Sequence, residues 1–391
     1  MSGRRAAPAR PPAPPHGGGR TVLGIAGPLA APVARPRPLL AALGLAIEGP
    51  VPLPGEYPPG TQGFRYWAMA EALARTAAPW AEAAGLHATL WGAGTPLRVT
   101  LAAGTTRHAI HERGRLRLGG AASSQAAMRA LGHAVLDALR PALWDAAAPE
   151  VAAFHAGFAD AAAMLAVLEL PGGTDGLALA RQLATTPFGA AFAETLALPA
   201  QVEARMDGAL RGDPRLIAQR AARLLAEAVR RAAIAPDFLR QVAAELVLAA
   251  AVREGPLLAV PLRALLARHF LLPRSPLLET YDPHAAEDGS ELPPGPDTLP
   301  WVATEAPALG LDRPLLLCPA SQPPALAWPT DAPAPVAVAR EFARVLASHA
   351  MVERPRPTAR PRPATAKPPP THRLHDEGRA LRLVRERFVA I

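Results

Sequence analysis

At 391 residues, half of them hydrophobic, the chain has apolar material for two or three ordinary domains. Its 47 prolines, against an average share of about 5%, exclude one regular helical or β fold from end to end, because proline stops helix interiors and central strands alike. The net charge of +8 is uneven: residues 1–62 hold six arginines against Glu48 and Glu56, a net of +4, residues 352–391 hold nine arginines and Lys367 against four acids, a net of +6, and the middle is left at −2.

Basic, proline-rich ends can hold nucleic acid non-specifically, yet no aromatic residues interleave with their arginines to stack on bases. Lys367 is the sole lysine and asparagine is absent, a mark of GC-rich codon usage that strips functional weight from arginine abundance. Cys318 stands alone, so the sequence offers no intrachain disulfide and no cysteine-built zinc site. The apolar stretch Val242–Val252 is too short to span a membrane and is interrupted by Glu245. Residues 21–34 bear a faint likeness to a signal-peptide core, broken by Gly27-Pro28. The expected location is cytoplasmic, without a membrane partner.

In chain order, residues 1–62 read as a disordered Pro/Arg-rich tail. A helical period follows over Gly63–Leu86, with Pro79 expected to kink or break it. Leu97, Val99 and Leu101 alternate as a strand, and Arg107–Leu118 reads as a hairpin turning near Glu112-Arg113-Gly114. Ser123–Leu139 is a capped helix stopped before Pro141, and Pro149–Glu169 a second one stopped by Pro171-Gly172-Gly173. Residues 174–200 read as a polar, Thr-containing connection. Helices are expected over Pro214–Ile234, Pro236–Arg253 and Pro261–Leu271, each with proline near its first turn. Residues 273–335 are proline-dense and irregular, Val336–His349 is a short helix, Pro355–Pro370 an extended linker, and His372–Ile391 a hairpin around Asp376-Glu377-Gly378.

Two helices carry the informative residues: Arg129-Ala130-Leu131-Gly132-His133-Ala134-Val135-Leu136-Asp137, and Ala153-Phe154-His155-Ala156-Gly157-Phe158-Ala159-Asp160. Their layout resembles the HExxH zinc metallopeptidases of the thermolysin-like (gluzincin) class. In that class two histidines one turn apart bite one zinc, the glutamate between them is the general base, and a second helix supplies a glutamate ligand followed by an aspartate. On this chain the resemblance puts Arg129 at the first-ligand position, Ala130 at the base, His133 at the second ligand, Ala156 at the third, and Asp160 at the acid that orients the first ligand. Arginine is always protonated and cannot ligate, so an ion pair between Arg129 and Asp160 is expected in place of the metal-organising contact. His155 occupies the position before the lost glutamate. His108-Ala109-Ile110 stands where the family's edge strand pairs with substrate peptide, with His in place of Asn.

The resemblance covers roughly residues 97–272 and implies an α+β architecture: a small β-hairpin/sheet lobe with the degenerate motif helix, plus a mostly helical lobe, flanked by Pro-rich tails. Its expected divisions are 1–62 (tail), 63–200 (metallopeptidase-like N-terminal lobe), 201–272 (helical lobe), 273–351 (irregular, ending in a helix) and 352–391 (basic linker and hairpin). It implies no catalysis and no bound cofactor, with a peptide or protein partner in the cleft. Two other readings stand beside it. One is an active zinc hydrolase with a site rebuilt from His133, His155, His111 and Glu112, although Arg115 stands where a displaced HExxH would need histidine. The other is a nucleic-acid binder acting through its basic tails. His108 and His111 are otherwise expected to be exposed strand residues.

Overall fold

The computed structural model describes residues 43–48, 61–83, 91, 96–102, 105–145, 149–169, 174–199, 201, 213–234, 237–272, 302–317, 340, 343–344, 346–347, 352–353 and 369–390. The expectations for residues 1–42 and 49–60, Cys318, Lys367 and most of the 355–370 linker lie outside these residues. The described architecture is α+β, with helices and two separate five-stranded sheets.

The first sheet is built from β1 (Leu45–Glu48), β2 (Leu97–Leu101), β3 (Ala109–Glu112), β4 (Arg115–Leu118) and, from the far end of the chain, β10 (Phe388–Ala390). Its order is β1-β2-β4-β3-β10. β1, β2 and β4 run parallel, while β3 is antiparallel to β4 and β10 antiparallel to β3. Alternation sets which face is buried. Leu97, Val99, Leu101, Leu116 and Leu118 point inward, while Arg98, Arg115 and Arg117 stay on the solvent side near Glu48 and Glu112. Gly114, at φ +71°, makes the left-handed turn between β3 and β4. Four residues inside the expected 1–62 tail are therefore a structural strand. They have no periodic neighbours to announce them, and their pairing partner lies some fifty residues on.

Helices α1 (Gln62–Ala83), α2 (Ser124–Leu139), α3 (Ala142–Asp145), α4 (Pro149–Leu168), α5 (Thr174–Gln182), α6 (Pro187–Thr195), α7 (Pro214–Arg231), α8 (Phe238–Glu254) and α9 (Pro256–Arg268) share one core with this sheet. α1 runs through Pro79 without ending, because packing holds it: Trp80 is fully buried with its ring 4.9 Å from Phe158. The 174–200 connection is in fact mostly the two nine-residue helices α5 and α6. α9 begins at Pro256 and carries Pro261 inside it, five residues ahead of the expected start. α4 is long and apolar enough by composition to cross a membrane, but most of it is buried inside the protein.

The second sheet has the order β5-β6-β9-β8-β7, from β5 (Val302–Thr304), β6 (Leu315–Leu317), β7 (Val352–Glu353), β8 (His372–Asp376) and β9 (Leu381–Arg385). It closes its own small core around Leu309, Leu315, Leu317, Leu374, Leu381 and Leu383. Val302–Leu317 thus forms strands and a 3-10 turn within the segment expected to be irregular. Arg313 clamps Asp376 at 2.8 and 3.1 Å and so pins the β8–β9 hairpin. Several arginines of the expected basic tail are spent on acids: Arg373 on Glu386 (3.1 Å), Arg382 on Glu377 (3.3 Å) and Arg387 on Glu386 (2.9 Å). β10 leaves this unit after β9 and joins the first sheet.

α2 and α4 cross closely. A Cβ on Gly132 would sit 2.9 Å from Ala159 Cα and 3.0 Å from Ala162 Cβ. Gly132→Ala should therefore lower stability by about 1–3 kcal/mol in urea unfolding, even though alanine is the better helix former by about 1 kcal/mol.

Candidate functional site

The α2–α4 crossing places Arg129, His133 and Asp137 on one face of α2, one turn apart, opposite His155 and Asp160 of α4. Ser123 caps the start of α2 by accepting the Ala126 N–H at 3.1 Å, which fixes the helix register. The Asp160 carboxylate is 1% exposed. It accepts the backbone N–H groups of Thr185 (2.8 Å) and Thr186 (3.0 Å), and both threonine hydroxyls donate to it. Thr186 in turn caps α6, accepting the Gly189 N–H at 2.9 Å, so the acid lies at the positive end of that helix. Gly189 is needed there, because a Cβ would approach Asp160 Oδ2 to 2.6 Å. The expected ion pair is present: Arg129 Nη2 lies 2.9 Å from Asp160 Oδ1, and the same nitrogen reaches the Leu183 carbonyl (2.9 Å) and the Thr185 hydroxyl (3.2 Å).

Beside this pair lies a recess filled from the other end of the chain. The Phe388 ring stacks on His155 (4.1 Å between centroids) and on His133 (4.7 Å), and meets the Trp144 edge at 5.2 Å. His111 of β3 closes the group, 5.2 Å from Trp144 and with Nε2 3.5 Å from Asp137. The Arg385 guanidinium lies 4.8 Å over the other aromatic component, the Phe388 ring, and Trp144 Nε1–H donates to the Arg385 carbonyl at 3.1 Å. Burial pushes His133 down to about 3, with His111, Arg385 and Arg129 adding repulsion. Burial also holds His155 well below the usual imidazole range, with His133, Arg385 and His111 reinforcing and its bond to the Leu143 carbonyl opposing. His372 on β8 is lowered in the same way, by burial and then by Arg385. These imidazoles are neutral at pH 7.

The remaining expected site residues scatter. Ala130 is fully buried, whereas Ala156 is exposed. His108 and His111, expected on the surface, are buried, His111 to 1% exposure because Trp144, Phe388 and Asp137 of α2 pack around its ring. His108 lies one residue before the strand; Ala109 and Ile110 lie in it, and their open edge is taken by β10 in the register Phe388↔His111, Val389↔Ile110, Ala390↔Ala109. The rebuilt zinc site does not fit these positions. Glu112 follows His111 on the strand, hence points to its opposite face, and sits near Arg117 (3.8 Å) and Arg387 (3.7 Å). Arg385 brings fixed positive charge to both His133 and His155, and Arg129 to His133, and among the described residues no group of three His, Cys, Asp or Glu side chains is placed to hold a metal.

Sequence reasoning missed Thr185, Thr186, Trp144, Arg385 and Phe388. Thr186-Pro187 carries a helix-start signal that would have found the first pair. Nothing local marks Phe388, an isolated aromatic in a basic segment. No protein-family model, curated protein or solved structure shows a significant match to the chain.

Arg129→Met would leave Asp160 charged, buried and short of its cation. It should cost about 3 kcal/mol in urea unfolding, with part recovered in Arg129→Met/Asp160→Asn. Acid should also loosen the fold. A histidine whose folded pKa is depressed stabilises the native state above its unfolded value near 6.5, and that stability is lost as pH falls below it. His133 alone should remove on the order of 2–3 kcal/mol by pH 4.5. Glu150, raised to about 7 chiefly by burial, acts oppositely: its neutral form stabilises at low pH, and that contribution is lost as pH rises from about 4.5 through 7. Glu150→Gln should therefore steepen the loss of thermal stability between pH 6.5 and 4.5.

Proposed function

We propose that the chain is a catalytically silent relative of the thermolysin-like zinc metallopeptidases, a peptide-binding scaffold that keeps the edge strand and the two-helix frame and has replaced the metal chemistry. The observation that carries this reading is the Arg129–Asp160 contact at 2.9 Å. An arginine at the first-ligand position meets the acid that in the family steadies that ligand, so a guanidinium takes over cationic charge that a metal would supply. The sheet is consistent with it: β3 lies next to the sheet edge, antiparallel to β4, and the segment that pairs with its outer side, β10, runs antiparallel to it. In this reading 63–200 is the metallopeptidase-like N-terminal lobe with the degenerate motif helix, and 201–272 is the helical lobe.

The chemistry follows from the residues present. Ala130 offers no base, and an uncharged imidazole at 133 without companion ligands activates no water. What the site offers is recognition: a strand edge for main-chain hydrogen bonds, apolar imidazole faces for an aromatic side chain, and Glu112 beside the strand for a cation.

Zinc per chain in untagged protein purified without chelator should be near zero, and peptide hydrolysis should be absent. A value near one with hydrolysis would overturn the silent-enzyme reading. Ancestry is tested by Arg129→His/Ala156→Glu in a Phe388→Ala background, which restores three ligands and clears the recess while leaving buried Ala130 alone. Uptake of about one zinc is expected, and a folded variant that takes up none counts against the kinship.

A further inference from the structure

β10 belongs by sequence to the second unit but contributes nothing to that unit's core, which closes around Leu309, Leu315, Leu317, Leu374, Leu381 and Leu383 without it. After a two-residue link from β9 it crosses to the first sheet and lies along β3 for three residues. One large side chain anchors it. The Phe388 ring packs against His133, His155, Trp144 and His111; Phe388 and Val389 are both half-buried and Ala390 is buried. Two charges flank the anchor: Arg387 lies 3.7 Å from Glu112, and Arg385 covers the Phe388 ring. The recess is polar-lined: the Nδ1 atoms of both His133 and His155 are buried with no hydrogen-bond partner among the described residues.

We infer that the β3 edge and the His133–His155–Trp144 recess form a binding site for an extended peptide of the pattern basic–phenylalanine–small aliphatic, and that β10 is its resident, displaceable occupant. The segment 385–390 holds the site closed in the isolated chain, and a partner protein bearing the same pattern takes its place by strand addition. Short strands with one ring anchor suit this exchange: the resident segment is tethered, so it has a high local concentration, but it makes few contacts of its own. The inference rests on the peptide-scaffold reading and not on the metallopeptidase kinship, so the zinc outcome leaves it untouched.

The test uses the full chain with a fluorescently labelled synthetic peptide spanning residues 385–390. Phe388→Ala should bind the peptide at least ten-fold more tightly than the wild type by anisotropy. A peptide with alanine in place of its phenylalanine should bind at least ten-fold more weakly than the first. Val389→Pro, which disrupts the β10 ladder and leaves the ring, guards against a variant that merely misfolds; helix content by circular dichroism should be unchanged in both. Hydrogen exchange at Ala109–Glu112 should rise at least ten-fold in both variants and fall again when the peptide is added. Unchanged exchange in both variants would show that β10 does not hold the edge and would overturn the inference. So would an opened edge that ignores the peptide, or that takes the alanine peptide equally well.

Discussion

The carboxylate of Asp160 is the constraint around which the site is arranged. At 1% exposure it has lost its water, and a bare charge there would be untenable, so every neighbour must answer it. Five groups do: Arg129, two backbone N–H groups and two threonine hydroxyls. Meeting that demand fixes the 183–186 turn, seats the start of α6, requires glycine at 189, and holds α2 against α4. The same crossing then sets His133 opposite His155. The recess is thus a by-product of how one buried charge is satisfied.

The two units of the chain meet through few but specific contacts. Trp144 donates to the Arg385 carbonyl, Phe388 stacks on the imidazoles, and three residues of β10 extend the sheet. Stacking of uncharged aromatic rings needs the histidines neutral, and burial together with Arg385 keeps them so. The occupant helps to maintain the charge state it prefers. Arg385 raises the energy of protonated imidazole, and unprotonated imidazole presents the flat apolar face on which Phe388 packs.

Elements with a strong local period were legible in the sequence. α2 announces itself by Ser123 at its cap and Pro141 beyond its end, and α4 by a long apolar run ended by Pro171-Gly172-Gly173. The Arg129–Asp160 pair was legible only through the metallopeptidase resemblance, which sets those two positions against each other; helical spacing within each helix does not say which faces meet. What escaped was non-local. β1 has four residues amid prolines and gains its identity only from β2. α5 and α6 are each nine residues long, too short for a period to stand out from their Thr, Gly and Pro content. His111 looks like a solvent residue until a strand from the end of the chain covers it. Phe388 has no local signal at all, since its meaning lies in four partners, three histidines and a tryptophan, more than 200 residues away.

The placement of positive charge connects these observations. A metal site holds its positive charge on an ion that can leave, and its imidazoles must stay open to coordinate that ion. Here the positive charge sits on Arg129 and Arg385, which are covalently fixed and do not titrate near neutrality. Fixed cations beside buried imidazoles suppress protonation and disfavour a divalent ion for the same Coulombic reason. Among the described residues the recess presents His133 and His155 held neutral, their buried Nδ1 atoms without a hydrogen-bond partner, and a strand paired to β10, and the peptide-scaffold proposal rests on that set. On that proposal, occupancy responds to competing peptide and to acid, because both act on the stacking of Phe388 against His133 and His155.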